Sequence, residues 1–191
     1  MRDTLVFFGQ MFRGWRAIGA IAPSGGPLAR MMADKLGPVA DGRVIVELGA
    51  GTGVVTRELV RRFPAARVVA VEVNPAFAGR LGLAAPGATV VIGCATELTR
   101  HLAALGATPD DVAGVISGLP LLSLPGDLPG RVLAAVRGVL RPGRPYIQFT
   151  YSARGWRRFD VAGFRPAGTR TVWRNVPPAD VLLFTRDDSP A

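Results

Sequence analysis

The sequence predicts an α/β fold: a seven-stranded, mostly parallel sheet covered by helices and closed by an antiparallel C-terminal hairpin. From Arg43 onward, short β-branched segments alternate with segments of helical periodicity, an order typical of parallel sheets with right-handed crossovers. Hydrophobic residues make up 49% of the 191 residues and charged residues 19%. This balance supports a sizeable core and excludes disordered and collagen-like chains.

Five segments rich in β-branched residues are expected to form the parallel strands, with four helices between them. The predicted strands are residues 43–48, 67–73, 88–92, 112–117 and 146–151, and the predicted helices are residues 53–63, 75–83, 96–105 and 128–140. Two further runs, Arg170–Val176 and Val181–Arg186, flank Pro177-Pro178. We expect them to form the closing hairpin at the sheet edge.

An amphipathic helix is predicted over residues 4–21, where apolar side chains recur at spacings of three and four. Aromatic residues on its apolar side and arginines opposite are typical of a helix that lies in a membrane interface; a core-packed first helix is the alternative. A second short helix is expected from Pro27 to Leu36. We therefore assign residues 1–36 to a membrane-binding region and residues 37–191 to the α/β domain.

The net charge of +9 is unevenly distributed. Residues 1–30 carry +3, residues 31–130 carry −1 and residues 131–191 carry +7. Such an excess points to a polyanionic partner, either nucleic acid or an anionic membrane surface. One cysteine, Cys94, and one histidine, His101, exclude a disulfide framework and a structural zinc site. We expect a reducing compartment and no metal.

A glycine-rich loop follows the first predicted strand. Its sequence, Glu47-Leu48-Gly49-Ala50-Gly51-Thr52-Gly53, leads into a helix, and its glycines let backbone N–H groups approach a ligand closely. Dinucleotide and S-adenosylmethionine sites both use such loops. A dinucleotide fingerprint needs Gly or Ala where Val54 stands, and Glu47 has no role in holding a pyrophosphate. An acid at this position suits a cofactor with a cationic amino-acid end.

Glu72 ends the second strand, nineteen residues after Gly53. A carboxylate at the carboxyl end of a strand is placed to accept hydrogen bonds from both hydroxyls of a ribose. A solvated acid is the alternative for Glu72 alone, but the glycine loop before it favours the ribose contact.

Together these motifs resemble the class I S-adenosylmethionine-dependent methyltransferases over residues 43–151. The resemblance implies their Rossmann-like fold, S-adenosylmethionine as methyl donor and S-adenosylhomocysteine as product. It also implies that Glu47 lies near the cofactor's ammonium group, that the loop wraps its methionine moiety, and that Glu72 holds its ribose. The expected cofactor-binding residues are Glu47, Gly49, Ala50, Gly51, Thr52, Gly53, Glu72, Val73, Cys94, Ala95 and Ser117.

Cys94 follows the third strand, where this family commonly has an Asp that accepts a hydrogen bond from the adenine amino group. A thiol is a weak acceptor. Either the backbone N–H of Ala95 and a neighbouring side chain bind adenine alone, or the strand register differs by one residue. We interpret the thiol as a small buried hydrophobe rather than a catalytic group.

The segment Ser117-Gly118-Leu119-Pro120-Leu121 follows the fourth strand and bears on the acceptor. In methyltransferases that act on adenine amino groups, this place resembles Asn-Leu-Pro-Tyr or Asp-Pro-Pro-Tyr, which bind the amine and stack on the flipped base. Gly118 and Leu121 provide neither the acceptor nor the stacking ring. An rRNA adenine N6-dimethyltransferase-like enzyme remains the alternative interpretation.

Four segments, in order, resemble the bacterial phospholipid N-methyltransferases over nearly the whole chain. They are Gly19-Ala20-Ile21-Ala22-Pro23-Ser24, Ser117-Gly118-Leu119-Pro120-Leu121, Gln148-Phe149-Thr150-Tyr151 and Val172-Trp173-Arg174-Asn175-Val176-Pro177-Pro178-Ala179. This resemblance implies stepwise methylation of phosphatidylethanolamine to phosphatidylcholine, through monomethyl and dimethyl intermediates, at the cytoplasmic membrane surface.

The candidate catalytic residues are Tyr151, Leu119 and Ser117. The Tyr151 hydroxyl can accept from the ammonium or bind phosphate, and its ring can attract a methylated cation; a tyrosine that caps the core is the alternative. Because the sulfonium supplies the electrophile, catalysis is expected to rest on positioning and desolvation. His101 fits the solvated side of its helix better than the role of general base.

The residues expected at the substrate or the membrane are Phe8, Phe12, Trp15, Arg16, Ser24, Tyr151 and Arg174. Arg16 and Arg174 are hypothesised partners of a phosphate. No apolar segment reaches the roughly 20 residues of a spanning helix, whereas each basic residue near an anionic leaflet contributes about 1 kcal/mol. We expect a cytoplasmic enzyme held peripherally on the inner membrane, with an anionic membrane surface and a phospholipid, rather than nucleic acid, as its partners.

Overall fold

The computed structural model describes residues 25–156 and 161–188. Across these residues the strands are β1 (Val44–Leu48), β2 (Arg67–Glu72), β3 (Ala88–Ile92), β4 (Val112–Ser117), β5 (Pro145–Thr150), β6 (Phe164–Val172) and β7 (Ala179–Arg186). The helices are α1 (Gly26–Asp34), α2 (Val54–Arg62), α3 (Pro75–Ala84), α4 (Leu98–Ala104), α5 (Leu128–Val139) and α6 (Ala153–Trp156), with 3₁₀ turns at Ala95–Glu97 and Leu121–Ser123. The predicted fold class is confirmed.

The strands form one sheet in the order β3-β2-β1-β4-β5-β7-β6. β1 pairs in parallel with β2 and β4, and all five of its residues are buried, as expected where helices cover both faces. The chain proceeds from β1 towards β3 on one side and then crosses to β4 on the other. In sheets of this kind, ligands bind outside the carboxyl ends of the strands, at the point where the strand order reverses.

Helix α1 is part of the core. Leu28 and Met32 are fully buried, in one cluster with Ile45 of β1 and Val181 of β7. Residues 1–24 of the region assigned to membrane binding, including the predicted helix over residues 4–21, lie outside the described residues. Those assignments stay predictions; they include Phe8, Phe12, Trp15, Arg16 and Ser24.

The C-terminal hairpin is confirmed, but its strand bounds are corrected. We predicted strands over residues 170–176 and 181–186, whereas the turn between β6 and β7 comprises residues 173–178. β6 is an edge strand whose seven central residues are exposed, so it lacks the apolar alternation by which strands are recognised. β7 pairs antiparallel with both β5 and β6.

The other predicted strands and helices lie within one or two residues of their predicted bounds, whereas α6 and the 3₁₀ turn at Leu121–Ser123 were not predicted. β5 ends at Thr150, so Tyr151 stands just beyond the strand. The helix predicted over residues 96–105 is a 3₁₀ turn followed by α4, a tightening that is frequent at helix N-termini.

Leu28→Ala should lower the free energy of unfolding by about 2–5 kcal/mol, because it leaves a cavity among buried side chains. The matched control is Leu83→Ala on α3, where Leu83 is 87% exposed, and it should change this free energy by less than about 0.5 kcal/mol. Urea denaturation measures both. Equal effects would show that α1 contributes nothing to the core.

Candidate active site

The glycine loop between β1 and α2 adopts a left-handed backbone. Gly49, Gly51 and Gly53 have φ angles of 71°, 53° and 77°, which residues with a Cβ rarely adopt. At Gly53 space is also limiting, because a Cβ there would lie 2.5 Å from Leu81 Cδ1 of α3. The loop conformation therefore depends on these glycines.

The loops after β1 and β4 are in backbone contact. Gly118 N donates to Leu48 O at 2.8 Å, and a Cβ on Gly118 would lie 2.9 Å from Gly49 O. A Cβ on Gly49 would lie 2.7 Å from Leu119 Cδ2. Only glycine at both positions allows the two loops to approach this closely.

Glu72 is held against the glycine loop. Its Oε2 accepts a hydrogen bond from Gly51 N at 2.9 Å, and its Oε1 accepts one from Asn74 N at 2.8 Å. The side chain is 2% exposed; burial raises its pKa, and the hydrogen bonds from the backbone of Asn74, Gly51 and Val73 oppose the rise. A carboxylate has about four lone-pair sites, so both oxygens can accept further hydrogen bonds.

Glu47 is a second buried carboxyl group. It is 2% exposed and accepts a hydrogen bond of 2.6 Å from Thr56 Oγ1 of α2. Burial raises the pKa of Glu47 to about 8, which the Thr56 bond opposes and the negative charge of Glu72 reinforces. At neutral pH the group is therefore largely protonated until a cation approaches.

A pocket lies at the carboxyl ends of β1 to β4. It combines one carboxylate, three glycine backbones and an apolar wall. The lining residues are Gly49, Val71, Glu72, Val73, Gly93, Cys94, Ala95, Gly118, Leu119, Pro120, Leu128 and Val132. A flat base between apolar side chains, with a ribose at the carboxylate, matches this lining, so the described residues fit S-adenosylmethionine.

The predicted cofactor residues fall into three groups. Gly49, Glu72, Val73, Cys94 and Ala95 line the pocket. Ala50, Gly51, Thr52 and Gly53 form the adjoining loop, whereas the buried side chains of Glu47 and Ser117 lie behind these surfaces.

The segment after β3 is fixed by local hydrogen bonds. Cys94 Sγ accepts from Thr96 Oγ1 at 3.1 Å, and Cys94 O lies 3.1 Å from His101 Nε2. The expectation that His101 faces solvent is wrong: 9% of its side chain is exposed. Gly93 explains this, because a Cβ there would lie 2.4 Å from the His101 ring.

A second cavity of about 260 Å³ opens beside the cofactor pocket and shares Leu119 and Pro120 with it. The rest of its lining consists of apolar and aromatic side chains together with uncharged polar ones. These residues are Leu121, Leu122, Gln148, Phe149, Thr150, Tyr151, Ser152 and Trp156. No charged side chain occurs among the described residues of this lining. We call this cavity the acceptor pocket.

Buried polar side chains hold the wall between the two pockets. Leu119 N donates to Ser117 Oγ at 3.2 Å, and Leu119 O accepts from Gln148 Nε2 at 2.9 Å. Gln148 Oε1 in turn accepts from the Tyr146 hydroxyl at 2.8 Å. Gln148 has no predicted role of its own, although a single amide in an apolar strand was the signal. Ser117 and Gln148 position Leu119, and Gln148 also lines the acceptor pocket.

Tyr151 lies at the mouth of the acceptor pocket and is 37% exposed. Its ring packs edge-on against Phe149 with 5.7 Å between centroids, and its hydroxyl lies 3.5 Å from Asn175 Nδ2. Asn175 Oδ1 accepts from Gly25 N at 3.0 Å. The β6–β7 turn, which includes the exposed Arg174, is thereby joined to Tyr151.

Two further properties concern the described residues only. None of their helices has the length and apolar character needed to cross a bilayer. No three of their His, Cys, Asp or Glu side chains gather as metal ligands.

Comparison with known proteins identifies a relative of nearly the same length. The chain is 34% identical over 183 residues to the ornithine lipid N-methyltransferase of Singulisphaera acidiphila, and the match covers 94% of each chain. No protein-family model matches the chain.

Solved structures show the same fold at low identity. The 1,6-didemethyltoxoflavin-N1-methyltransferase of Burkholderia thailandensis, bound to 1,6-didemethyltoxoflavin and S-adenosylhomocysteine, is 18% identical with a TM-score of 0.68, covering 97% of this chain and 88% of that one. A TehB-like S-adenosylmethionine-dependent methyltransferase from Corynebacterium glutamicum is 17% identical with a TM-score of 0.62, covering 98% and 100%. The chain belongs to the bacterial lipid N-methyltransferases and has the fold of S-adenosylmethionine-dependent methyltransferases.

Proposed function

We propose that this lipid N-methyltransferase methylates the amine of ornithine lipid at an anionic membrane surface. The observation that carries the proposal is the uncharged acceptor pocket, which shares the Leu119 wall with the cofactor pocket. An amine in this pocket would reach a bound donor where the two pockets adjoin, beside Leu119 and Pro120. The acceptor headgroup, the membrane surface and the cytoplasmic location are parts of the proposal.

S-adenosylmethionine supplies an electrophilic methyl carbon when it is bound. Glu72 would accept hydrogen bonds from its ribose hydroxyls, and Glu47 would supply negative charge for its ammonium group. Ala95 begins a 3₁₀ turn, and the first N–H groups of a helix have no acceptor within it. The Ala95 N–H is therefore suited to donate a hydrogen bond to adenine, to which the Cys94 thiol can bond only weakly.

The acceptor pocket favours a neutral amine, which is the nucleophilic form. Burial among apolar side chains lowers the pKa of an amine by disfavouring its charged form. The hydroxyl groups of Thr150, Tyr151 and Ser152 would orient the amine as hydrogen-bond acceptors. Holding the lone pair in line with the methyl carbon is the main catalytic contribution, because positioning removes much of the entropic barrier.

The choice of headgroup rests on charge. In phosphatidylethanolamine a phosphate stands two carbons from the amine, and buried anions are paired with a cation in proteins. The described lining of the acceptor pocket contains no Lys or Arg, whereas ornithine lipid has no phosphate and its carboxylate stands four carbons from the terminal amine. The similarity to an ornithine lipid N-methyltransferase favours the same acceptor. Phosphatidylethanolamine, with phosphatidylcholine as the product, stays a prediction.

The RNA alternative lacks support in the site. Leu121, at the position where adenine methyltransferases stack a ring on the base, is 1% exposed and belongs to the core. The +7 charge of residues 131–191 suits an anionic leaflet as well as RNA. Charge therefore does not decide between them, but the missing stacking ring favours a lipid.

Radiolabelled methyl transfer to liposomes of ornithine lipid, liposomes of phosphatidylethanolamine and RNA, assayed in parallel, tests this proposal. We expect label in ornithine lipid and little in the other two acceptors. Thin-layer chromatography of the products identifies the labelled headgroup, and Glu72→Ala, which should not bind the cofactor, is the control. Label confined to RNA would disprove a lipid acceptor. Preferential label in phosphatidylethanolamine would restore the sequence-based prediction.

Tyr151→Leu should slow the later methylations more than the first. An aromatic face attracts a methylated ammonium that has lost N–H donors, a contribution of about 0.5–2 kcal/mol or roughly 2- to 30-fold in rate. Tyr151→Phe keeps the ring and should retain the product distribution. Mass spectrometry of mono-, di- and trimethylated lipid measures the ratio. If both variants change it alike, the hydroxyl rather than the ring is the functional group.

The affinity for the cofactor should rise with pH through the titration of Glu47. Only the ionised carboxylate attracts an ammonium group, and with a pKa of about 8 its ionised fraction grows about tenfold per unit below pH 7. Glu47→Gln removes this dependence, so the wild-type to variant affinity ratio should increase between pH 6 and pH 8. Calorimetric titration with S-adenosylhomocysteine at several pH values measures it. Parallel pH profiles would contradict a role of Glu47 at the ammonium group.

A further inference from the structure

Exposed apolar side chains are concentrated at one edge of the sheet. Among the described residues, six large apolar side chains are exposed. Five of them lie at the carboxyl edge, where both pockets open: Ile92, Leu122, Tyr151, Trp173 and Val176. The sixth, Leu83, lies near the C-terminal end of α3, which packs on β2 and β3 at the end of the sheet away from β6 and β7.

The two most exposed of these five lie in the β6–β7 turn. Trp173 and Val176 are each 78% exposed. The strand register pairs Val172 with Ala179 and Thr150 with Asp180, so the turn projects beyond the end of β5, next to Tyr151. Transfer of these two apolar side chains from water into an apolar phase lowers the free energy.

Asn175 fixes the turn in place. It is 2% exposed although its neighbours are exposed. Its Nδ2 donates to Pro177 O at 2.8 Å, and its Oδ1 accepts from Gly25 N at 3.0 Å. The turn is thus held from within and from α1, so its apolar side chains are presented on a supported loop beside the acceptor pocket.

The charge around the turn is positive. Arg170 and Arg174 are exposed in or beside the turn, and the nearest acidic residue of the hairpin, Asp180, accepts a hydrogen bond from Thr171. Within the described part of the chain, no ion pair engages these arginines. Tryptophan next to arginine is typical of segments that lie at the level of lipid headgroups.

We propose that residues 173–178, which we call the docking turn, insert Trp173 and Val176 into the interface of an anionic bilayer. Arg170 and Arg174 then contact the lipid headgroups, and the acceptor pocket opens onto the leaflet. The docking turn is a membrane contact within the α/β domain, separate from the predicted N-terminal helix. Its role in catalysis rests on the proposed lipid function, but its binding to a bilayer can be measured independently.

Vesicle binding of Trp173→Ser/Val176→Ser tests the docking turn. Vesicles of phosphatidylglycerol and phosphatidylcholine should bind the double variant at least about tenfold more weakly than the unaltered chain, because two apolar side chains lose their burial. The matched control is Leu83→Ser, an exposed apolar residue on α3 at the end of the sheet away from the docking turn, which should bind as the unaltered chain does. Binding of the unaltered chain should also weaken with added salt.

A second measurement reports insertion directly. Brominated lipids quench tryptophan fluorescence at the depth of the bromine atoms. The unaltered chain should lose more emission than Trp173→Phe in the presence of brominated anionic vesicles. Equal quenching in the two proteins would show that Trp173 stays in water and would overturn the proposal.

Methyl transfer to a short-chain, monomeric aminolipid separates the docking turn from the proposed function. The double variant should retain this activity while losing vesicle binding. Unchanged vesicle binding, or loss of both properties, overturns the docking turn. If the double variant instead shifts a dimer to monomers without altering vesicle binding, the docking turn is an interface between two copies of the chain. If vesicle binding depends on the turn but the protein methylates no lipid, the docking turn is supported and the proposed function is refuted.

Discussion

The contact between Gly49 and Gly118 is the constraint on which the rest of the site depends. It joins the loops after β1 and β4 where the strand order reverses, and a Cβ at either position would collide with the opposite loop. Because the two backbones touch, Leu119 is brought between the cofactor pocket and the acceptor pocket. The buried hydrogen bonds that Leu119 N donates to Ser117 and that Leu119 O accepts from Gln148 then fix this wall. A direct methyl transfer requires that the amine and the methyl carbon meet with no side chain between them, so a rigid wall sets the place beside it where the two pockets can join.

The parallel half of the fold and the cofactor pocket were predictable because their signals are local in sequence. A buried parallel strand is recognised as a continuous apolar run. Left-handed turns favour glycine, so the glycines between Glu47 and Gly53 indicate the conformation of this loop directly. The position of Glu72 beside the loop was predictable because it ends the second strand at a set distance in sequence from the glycine loop. These features depend on one strand and the turn that follows it.

The features that were missed depend on contacts between distant segments. β6 has only its ends buried, since an edge strand needs no apolar alternation to hydrogen bond. His101 is covered because Gly93 leaves room for its ring, which no periodicity within α4 reveals. Gln148 and Asn175 act through partners 29 and 150 residues away. Such pairings follow from the assembled sheet and not from any one segment.

The shared wall also limits how the enzyme can change its acceptor during evolution. A substitution at Leu119 moves a surface of the donor site and of the acceptor site together, so selection for a new headgroup at this position carries a cost in cofactor affinity. The side of the acceptor pocket formed by Phe149, Tyr151 and Trp156 is not part of the lining of the cofactor pocket. Substitutions in the segment after β5 can therefore reshape the acceptor pocket without altering a surface of the donor site.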